Sequence, residues 1–313
     1  MVKAKLIAQA KRFARHVPFQ LVEAVAFPQE SRWHRFGIER PGVDEPSVIL
    51  FTLHKVASTF TNQLLGEINA NCLNLKRMDW DKYVYNMVPS GTSEWIAART
   101  DDLFAPSGYC YGVFRAPLPI TSLGDYRVLL IVRDPRDILT SYYFSEAHSH
   151  AEPLDKARLQ DFRARRAQVQ EMTIDEYVLD KASDLERLLD NYMEMSSATG
   201  AQPLTYELMM SDWESFMDRV SDVLRVELDT QLRTKLRDLG QIGVEHGGDE
   251  NQHRRKGTPG DHRHKLQPET IARLTEQFRR HLEWMSLPTE VIDLTVDHAD
   301  AVVDVIESDQ KAA

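Results

Sequence analysis

The chain has 313 residues, of which 42% are apolar, and its formal net charge is −10 at pH 7. This length and apolar content fit one large α/β domain or two small ones, and the negative charge argues against general binding to nucleic acid. No stretch approaches the ~20 apolar residues that cross a bilayer, so we expect no transmembrane segment and a cytoplasmic location.

The two ends of the chain differ from its middle. Residues 1–17 combine basic and apolar side chains at helical spacing, which predicts an amphipathic helix packed on the domain or on a partner. The alternative is peripheral contact of this helix with an anionic membrane. A last helix is predicted at residues 290–308. The chain is thus divided into an N-terminal helix and lead-in (1–44), one main domain (45–287), and a C-terminal helix and tail (288–313).

Short apolar runs rich in Val, Ile and Leu predict buried strands. They lie at residues 48–53, 109–114, 127–132 and 203–206. Helical patterns separate them, which indicates an α/β fold: a single domain with a central parallel sheet flanked by helices. Ligands of such sheets bind beyond the carboxyl ends of the strands. The residues at or just past these ends include Lys55, Arg115, Arg133 and Tyr206.

The first strand begins a unit, residues 48–60, that suits an anion. The strand is followed by His54 and Lys55, and a helix pattern starts near Ser58. A helix start offers backbone N–H groups and a partial positive charge, to which Lys55 adds a mobile charge. This first unit lacks the glycine-rich loop of nucleoside triphosphatases, in which Lys directly precedes Ser or Thr. The alternative is an ordinary strand–helix turn with a capping serine.

A second unit, residues 127–143, repeats this plan. Its strand is followed by Arg-Asp-Pro-Arg-Asp at 133–137 and by Ser-Tyr-Tyr at 141–143. The planar guanidinium of Arg133 is able to hold a phosphate through two parallel hydrogen bonds. Two anion-binding units predict a ligand with phosphates at both ends rather than a single triphosphate tail.

These two units and two later motifs resemble, in order, the sulfotransferase family that uses 3′-phosphoadenosine 5′-phosphosulfate. The later motifs are a Tyr-Glu pair at Tyr206 and Glu207, and an Arg-Lys-Gly loop at residues 255–257 followed by Gly-Asp. The resemblance covers about residues 45–285. It implies a sulfotransferase/P-loop-like fold and an enzyme that moves a sulfuryl group from this donor to an acceptor, leaving adenosine 3′,5′-bisphosphate.

The resemblance also implies roles for individual residues. Lys55 would stabilise charge on the leaving phosphate, Arg133 and Ser141 would hold the 3′-phosphate, and Tyr206 would contact adenine. The full set implied to bind the donor is Lys55, Ser58, Thr59, Phe60, Arg133, Ser141, Tyr206, Arg255, Lys256 and Gly257.

No metal is expected, because the cations of these motifs already supply positive charge. The histidines of the late loop are His246, His253, His262 and His264. They show neither the helical pairing nor the accompanying cysteines that a zinc site needs. We interpret them as ordinary loop residues.

The general base is not evident from the sequence. The cytosolic branch of the family has a catalytic His in a stretch that matches residues 115–119 here, and Pro117 occupies the His position. The leading candidates are His54, beside Lys55, and Asp79, in a region where other branches supply a carboxylate; Asp81 lies beside it, and His148 is a further candidate. Arg115 would orient either the sulfuryl group or an anionic acceptor.

The acceptor is predicted to be a small molecule or a glycan, with a carbohydrate or other aliphatic hydroxyl favoured. The aromatic residues between 71 and 107 form either an acceptor pocket or a surface subdomain. Two other functions stay open: a nucleotide-dependent phosphotransferase, which would prefer ATP, and a nucleotide-binding module without turnover.

Overall fold

The apolar runs of the sequence pair side by side in one parallel sheet. Four strands coincide closely with the predicted runs. They are β1 (Val48–Thr52), β3 (Tyr109–Phe114), β4 (Arg127–Val132) and β5 (Pro203–Thr205). A fifth, β2 (Lys76–Met78), completes the order β2-β3-β1-β4-β5, and all neighbours are parallel. The predicted fold class, a central parallel sheet flanked by helices, is confirmed.

The coordinates are a computed structural model, which describes residues 23, 25–36, 43–88, 93–150, 152, 156–240 and 258–289. The helices predicted at 1–17 and 290–308 lie outside these residues, as do Arg255, Lys256 and Gly257. Among the described helices, none is long and apolar enough to cross a membrane.

Strand β2 was not predicted, because its sequence carries no strand signal. It has only three residues, and Lys76 and Arg77 are two of them. It is an edge strand that pairs with β3 alone. Polar residues are tolerated there because only one side of the strand is paired.

Helices connect the strands and cover the sheet. In chain order they are α1 (Pro28–Phe36), α2 (Ser58–Ile68), α3 (Trp80–Met87), α4 (Ser93–Ala97), α5 (Thr100–Leu103), α6 (Pro135–Phe144), α7 (Lys156–Glu171), α8 (Ile174–Thr199), α9 (Tyr206–Ser211), α10 (Trp213–Leu224), α11 (Thr230–Gly240), α12 (His262–Lys265), α13 (Pro268–Gln277) and α14 (Arg279–Trp284). Short π-helical turns follow α2 and α6, at Asn69–Leu73 and Ser145–Ser149.

Local sequence signals explain where the two helices nearest the second unit begin. The carboxylate of Asp134 accepts a hydrogen bond from the N–H of Arg136, and Pro135 occupies the first turn of α6. Helix α8 starts with a capping box between Thr173 and Glu176. Each cap satisfies N–H groups that would otherwise have no partner in the helix.

Helix α1 packs into the same core as the sheet. The indole N–H of Trp33 donates to the carbonyl of Asp102 at 2.7 Å, and the carboxylate of Glu30 accepts from the N–H of Asp79 at 2.6 Å. Trp80 and Tyr83 are buried, and their rings pack edge to face. These two aromatic residues therefore anchor the segment between β2 and β3. The domain boundary at residue 44 stays a prediction.

Candidate active site

The carboxyl ends of four strands meet at one rim of the sheet, and direct contacts join the residues that follow them. Arg133 donates from Nη1 to the carbonyl oxygen of Lys55 at 2.9 Å. The guanidinium carbon of Arg133 lies 4.5 Å from the ring centroid of Tyr206. Arg115 donates from Nη2 to the hydroxyl of Ser58 at 3.1 Å. The first and second units are therefore in contact.

The loop of the first unit has an unusual backbone. Lys55 and Ala57 both have positive φ, 66° and 49°, in the left-handed region that non-glycine residues rarely adopt. No side chain caps the start of α2 at Ser58. Such alternating backbone turns the N–H groups of a loop toward one point, which is how anion-binding concavities form. The loop carries strain that an ordinary strand–helix turn does not need.

The ammonium group of Lys55 has a partner that the sequence analysis missed. Its Nζ donates to the hydroxyl of Ser145 at 2.5 Å and lies 6.0 Å from the ring centroid of Tyr142. Ser145 follows α6, four positions after Ser141. That spacing puts the two serines on one helical face. It was the only feature of the sequence that indicated a place for Ser145 near the site.

Arg133 is largely buried rather than open to solvent. Its Nη2 lies 3.5 Å from the carboxylate of Asp137, and only 8% of its side chain is exposed. Within the described part of the chain, its Nε is buried and has no hydrogen-bond partner. The guanidinium thus contacts the first unit, Tyr206 and Asp137 at once, while its Nε–H has no partner among the described residues.

Asp137 is the centre of a buried polar cluster. Its two oxygens accept hydrogen bonds from the N–H of Gly260 at 2.7 Å and the N–H of His262 at 3.0 Å. The ring Nδ1 of His262 also lies 2.7 Å from the carboxylate. Burial opposes ionisation, but the hydrogen bond from His262 and the charge of Arg133 outweigh it and hold the pKa of Asp137 well below its usual range.

The interpretation of His262 as an ordinary loop residue is wrong. Its side chain is buried against Asp137, and only 2% of it is exposed. The error arose because burial depends on a partner 125 positions earlier in the chain, which local spacing does not indicate. Within the residues described, no group of three or more His, Cys, Asp or Glu side chains is arranged to hold a metal ion.

Two more charged groups meet at Asp134: Arg136 of the second unit and Glu207, which follows β5. Arg136 pairs with the carboxylate of Asp134 at 2.7 Å and donates to the hydroxyl of Thr275 at 2.8 Å. Glu207 accepts from the N–H of Asp134 at 3.1 Å. Desolvation, followed by repulsion from Asp134, raises the pKa of Glu207 to about 7.

Asp81 is connected to the first unit by the side chain of Arg115. Nη1 of Arg115 donates to the Asp81 carboxylate at 2.7 Å, while Nε and Nη2 of the same side chain contact Ser58. Burial raises the pKa of Asp81, although the charge of Arg115 acts in the opposite direction. A carboxylate is thereby connected to the loop of the first unit through one side chain.

Asp79, the carboxylate predicted as a candidate base, has a different environment. Its side chain is buried, and Oδ2 is bound by Lys82 at 2.8 Å. Among described residues, Oδ1 has no hydrogen-bond partner, and it lies close to Gly112 of β3. The contacts of Asp79 are with β2, β3 and α1 rather than with Arg115, so they favour Asp81 as the carboxylate nearer the first unit.

His54 stands at the rim with an exposed side chain. Partial desolvation, and then the charges of Arg115, Lys55 and His150, lower its pKa to about 4. The imidazole is therefore neutral at pH 7 and able to accept a proton. Its ring centroid lies 6.2 Å from that of Tyr142. His148 is also exposed.

The other residues predicted to bind the donor are distributed around this rim. Thr59 is exposed at the start of α2, and Phe60 is buried with its ring centroid 6.3 Å from that of Trp213. Ser141 is partly exposed on α6, and Tyr206 is buried under Arg133. Phe60 therefore anchors α2 through its packing on Trp213.

A comparison with protein families identifies the family to which the chain belongs. The family model described as "Sulfotransferase domain" matches residues 117–287, more than half of the chain. The chain belongs to the sulfotransferase family. The matched region of this sulfotransferase contains Arg133, Ser141 and Tyr206, whereas Lys55 precedes it. The predicted family is confirmed, and so is the prediction that the chain is an enzyme of this class.

Solved structures with a similar fold were also found. Mouse sulfotransferase SULT7A1 complexed with PAP is 13% identical, with 91% of this chain and 93% of that chain covered and a TM-score of 0.47. Retinol dehydratase in a complex with retinol and PAP is 15% identical, with 78% of this chain and 83% of that chain covered and a TM-score of 0.41. Its complex with androsterone and inactive cofactor PAP is 14% identical, with 77% of this chain and 82% of that chain covered and a TM-score of 0.44. No curated protein sequence matches the chain.

Proposed function

We propose that this sulfotransferase transfers a sulfuryl group from 3′-phosphoadenosine 5′-phosphosulfate to an acceptor hydroxyl. The observation that carries the proposal is the 2.9 Å contact between Arg133 and the carbonyl of Lys55. It joins two units that each follow a strand, start a helix and carry a cation. A ligand with phosphates at both ends fits such a pair better than a nucleoside triphosphate does.

The residues of the rim fit this donor. The left-handed backbone at Lys55 and Ala57, together with the uncapped start of α2, suits the 5′-phosphosulfate. Ser58, Thr59 and Phe60 belong to that start.

The second unit suits the other end of the donor. Arg133 has a buried Nε without a partner among the described residues, which leaves a donor for the 3′-phosphate. Ser141 lies on α6, the helix that follows Arg133. Tyr206 is assigned to adenine by the family resemblance, and Arg255, Lys256 and Gly257 to the 3′-phosphate.

When bound, the donor supplies the sulfuryl group, and the protein supplies position and charge. Lys55 is proposed to stabilise the negative charge that develops on the leaving phosphate. Its Nζ is now bound to Ser145 at 2.5 Å, so Lys55 must exchange this partner to act there. Arg115, which contacts Ser58, adds a second positive charge on the same side. No metal is needed in this arrangement.

We propose Asp81 as the group that accepts the proton of the acceptor hydroxyl. Its carboxylate is bound to Arg115 at 2.7 Å, and burial raises its pKa, which strengthens it as a base. His54 is the second candidate: it is neutral at pH 7, but a pKa of about 4 makes it a weaker base than an unperturbed imidazole. Asp79 stays a prediction with less support, because Lys82 and the core occupy its surroundings.

The acceptor is proposed to be a carbohydrate or another aliphatic alcohol. The support is the sequence departure at Pro117, where the cytosolic branch of the family has its catalytic His. A cytoplasmic location is also proposed. Its support is that Cys72 and Cys110 are both free thiols, as a reducing compartment would keep them.

Calorimetric binding of adenosine 3′,5′-bisphosphate, AMP and ATP tests the proposed donor. Micromolar binding of the bisphosphate with far weaker binding of AMP is expected, because AMP lacks the phosphate assigned to Arg133. Preference for ATP, or equal binding of AMP and the bisphosphate, would refute the two-phosphate site.

Turnover of single variants tests the proposed base. Asp81→Asn should reduce kcat by roughly 10²–10⁴-fold, while His54→Gln and Asp79→Asn should retain most activity. Bisphosphate binding serves as the control in all three variants and should change little. A large kcat loss in His54→Gln with an active Asp81→Asn would reverse the assignment.

A further inference from the structure

Asp137 joins the second unit to a segment far away in the chain. Both of its oxygens accept hydrogen bonds from residues 260–262, at 2.7 Å from the N–H of Gly260 and 3.0 Å from the N–H of His262. The His262 ring adds a contact at 2.7 Å, and Nη2 of Arg133 lies 3.5 Å away. None of the Asp137 side chain is exposed.

The helix that carries Asp137 does not need these contacts. Helix α6 is already capped by Asp134, whose carboxylate accepts from the N–H of Arg136. The Asp137 oxygens instead bind residues that are 123 and 125 positions later. A buried carboxylate is costly unless it is paired and hydrogen-bonded. Asp137 therefore serves the tertiary arrangement and not its own helix.

Arg133 is held by three neighbours of different chemistry. A carbonyl oxygen of Lys55 accepts from Nη1, the ring of Tyr206 lies under the guanidinium, and Asp137 faces Nη2. Of these three, only Asp137 carries a negative charge. Without that charge, the orientation of the guanidinium and its distance from residues 260–262 would no longer be fixed together.

We propose that Asp137 is a positioning residue that fixes Arg133 and the segment 260–262 in one arrangement, so that selectivity for a nucleotide with a second phosphate depends on it. The proposal rests on the proposed function, in which Arg133 binds the 3′-phosphate. Asp137 itself is not expected to touch the nucleotide, because both of its oxygens are already engaged by the protein.

The test is the ratio of affinities for adenosine 3′,5′-bisphosphate and AMP in Asp137→Asn. The amide keeps the shape of the side chain but loses its charge and one acceptor. Affinity for the bisphosphate should fall roughly tenfold, the scale of a charged hydrogen bond, while AMP affinity should stay the same. A role in folding alone would lower both affinities together and leave their ratio unchanged, which would overturn the proposal.

Asp190→Asn is the matched control. Asp190 also pairs with a buried histidine, since its carboxylate lies 2.7 Å from Nε2 of His281. This pair joins α8 to α14 and contains no residue assigned to the nucleotide. The variant should lose stability yet keep the wild-type affinity ratio. An equal fall of the ratio in both variants would contradict a specific role for Asp137.

A second pair of variants answers the question if Asp137→Asn does not fold. His262→Ala removes the ring donor to Asp137, whereas His262→Asn keeps a side-chain N–H. The ratio should fall in the first variant and be retained in the second, and an unchanged ratio in His262→Ala would overturn the proposal. Failure of the proposed function looks different, because the wild-type protein would then show no preference for the bisphosphate over AMP.

Discussion

The loops after β1 and β4 both connect a strand to a helix, but different forces hold them. The first has two left-handed residues, Lys55 and Ala57, and its charged side chain is bound by a neutral hydroxyl. The second buries four charged residues: Arg133, Asp134, Arg136 and Asp137. These charges are paired mainly with one another, and residues from the C-terminal half of the chain hydrogen-bond to them.

In the sequence the two units look alike, since each has a strand, a cation and a helix start. The structure distinguishes them and favours a different role for each. The first unit stores backbone strain and binds its cation to a serine hydroxyl, which suits the role proposed for Lys55 during the reaction. The second unit is a buried ion network, which suits a group that must not move. Substitutions in the second unit should therefore reduce stability and binding together, while those in the first should mainly change turnover.

The largest effect is expected at Arg136, one of the buried charged residues of the second unit. Arg136→Met removes the partner of the buried Asp134 carboxylate and should cost about 3–5 kcal/mol in the free energy of unfolding, as measured by denaturant titration. The matched control is Arg187→Met, which removes an exposed pair with Asp184. That variant should change stability little. Similar small losses in both variants would show that the second unit is not held by its buried ions.

A pH effect on stability is expected from Glu207. Its pKa is about 7 in the folded chain and 4.5 ordinarily, so the folded state holds this proton more tightly than the unfolded state does. The stability from this proton is fully present below about pH 4.5 and is lost as the pH rises to 7, a change of about 3 kcal/mol.

Glu207→Gln should remove that pH dependence. Urea titrations between pH 4.5 and 8 should find the variant more stable than the wild type above pH 7. The two proteins should converge toward acid pH. Parallel stability curves for the two proteins would contradict the raised pKa.

Because the two units differ, Lys55→Ala and Arg133→Ala should lose different properties, namely turnover in the first variant and nucleotide affinity in the second. Lys55→Ala should abolish most turnover and spare much of the affinity for adenosine 3′,5′-bisphosphate. Arg133→Ala should weaken that affinity by about 1.5–3 kcal/mol and should also lower the melting temperature, because Arg133 contacts three segments. Calorimetry and thermal unfolding measure both quantities. Equal losses of bisphosphate affinity in the two variants would contradict the assignment of Lys55 to turnover and Arg133 to binding.

The smallest effect concerns the backbone of the first unit. Ala57→Gly should relieve the cost of its left-handed conformation, and part of that gain is offset by the entropy of glycine. We expect a net stabilisation of up to about 1 kcal/mol in denaturant titration. The control is Ala164→Gly in α7, which should destabilise by about 1 kcal/mol. Destabilisation of both variants would mean that the loop is not strained at Ala57.

Most of the fold followed from local patterns. The strands β1, β3, β4 and β5 were predicted because buried parallel strands are continuous apolar runs, and their order with intervening helices implies a parallel sheet. Strand β2 was missed because three residues with two cations carry no such pattern. Its pairing depends on the neighbouring β3, which a local window does not contain.

Part of the site was also predictable from the sequence, because it follows from the parallel arrangement of the strands. Parallel strands bring their carboxyl ends to one edge, so the proximity of Lys55 and Arg133 followed from the sequence although the residues are 78 positions apart. The partners of these side chains did not follow. Ser145 at Lys55 and Asp81 at Arg115 depend on how helices pack at the rim, and neighbouring carboxylates such as Asp79 and Asp81 look alike in a sequence.

By itself the sequence determined the family, the parallel sheet and the two cationic units, because apolar runs, helix starts and motif order are local properties of the chain. Only the tertiary structure decided that His262 is buried against Asp137, and that Arg133 is held inside an ion network rather than exposed as a free fork. The contacts of Asp137 join segments more than a hundred positions apart, and those of Arg133 reach Lys55, 78 positions earlier in the chain. Their energies arise only when folding removes water from both partners.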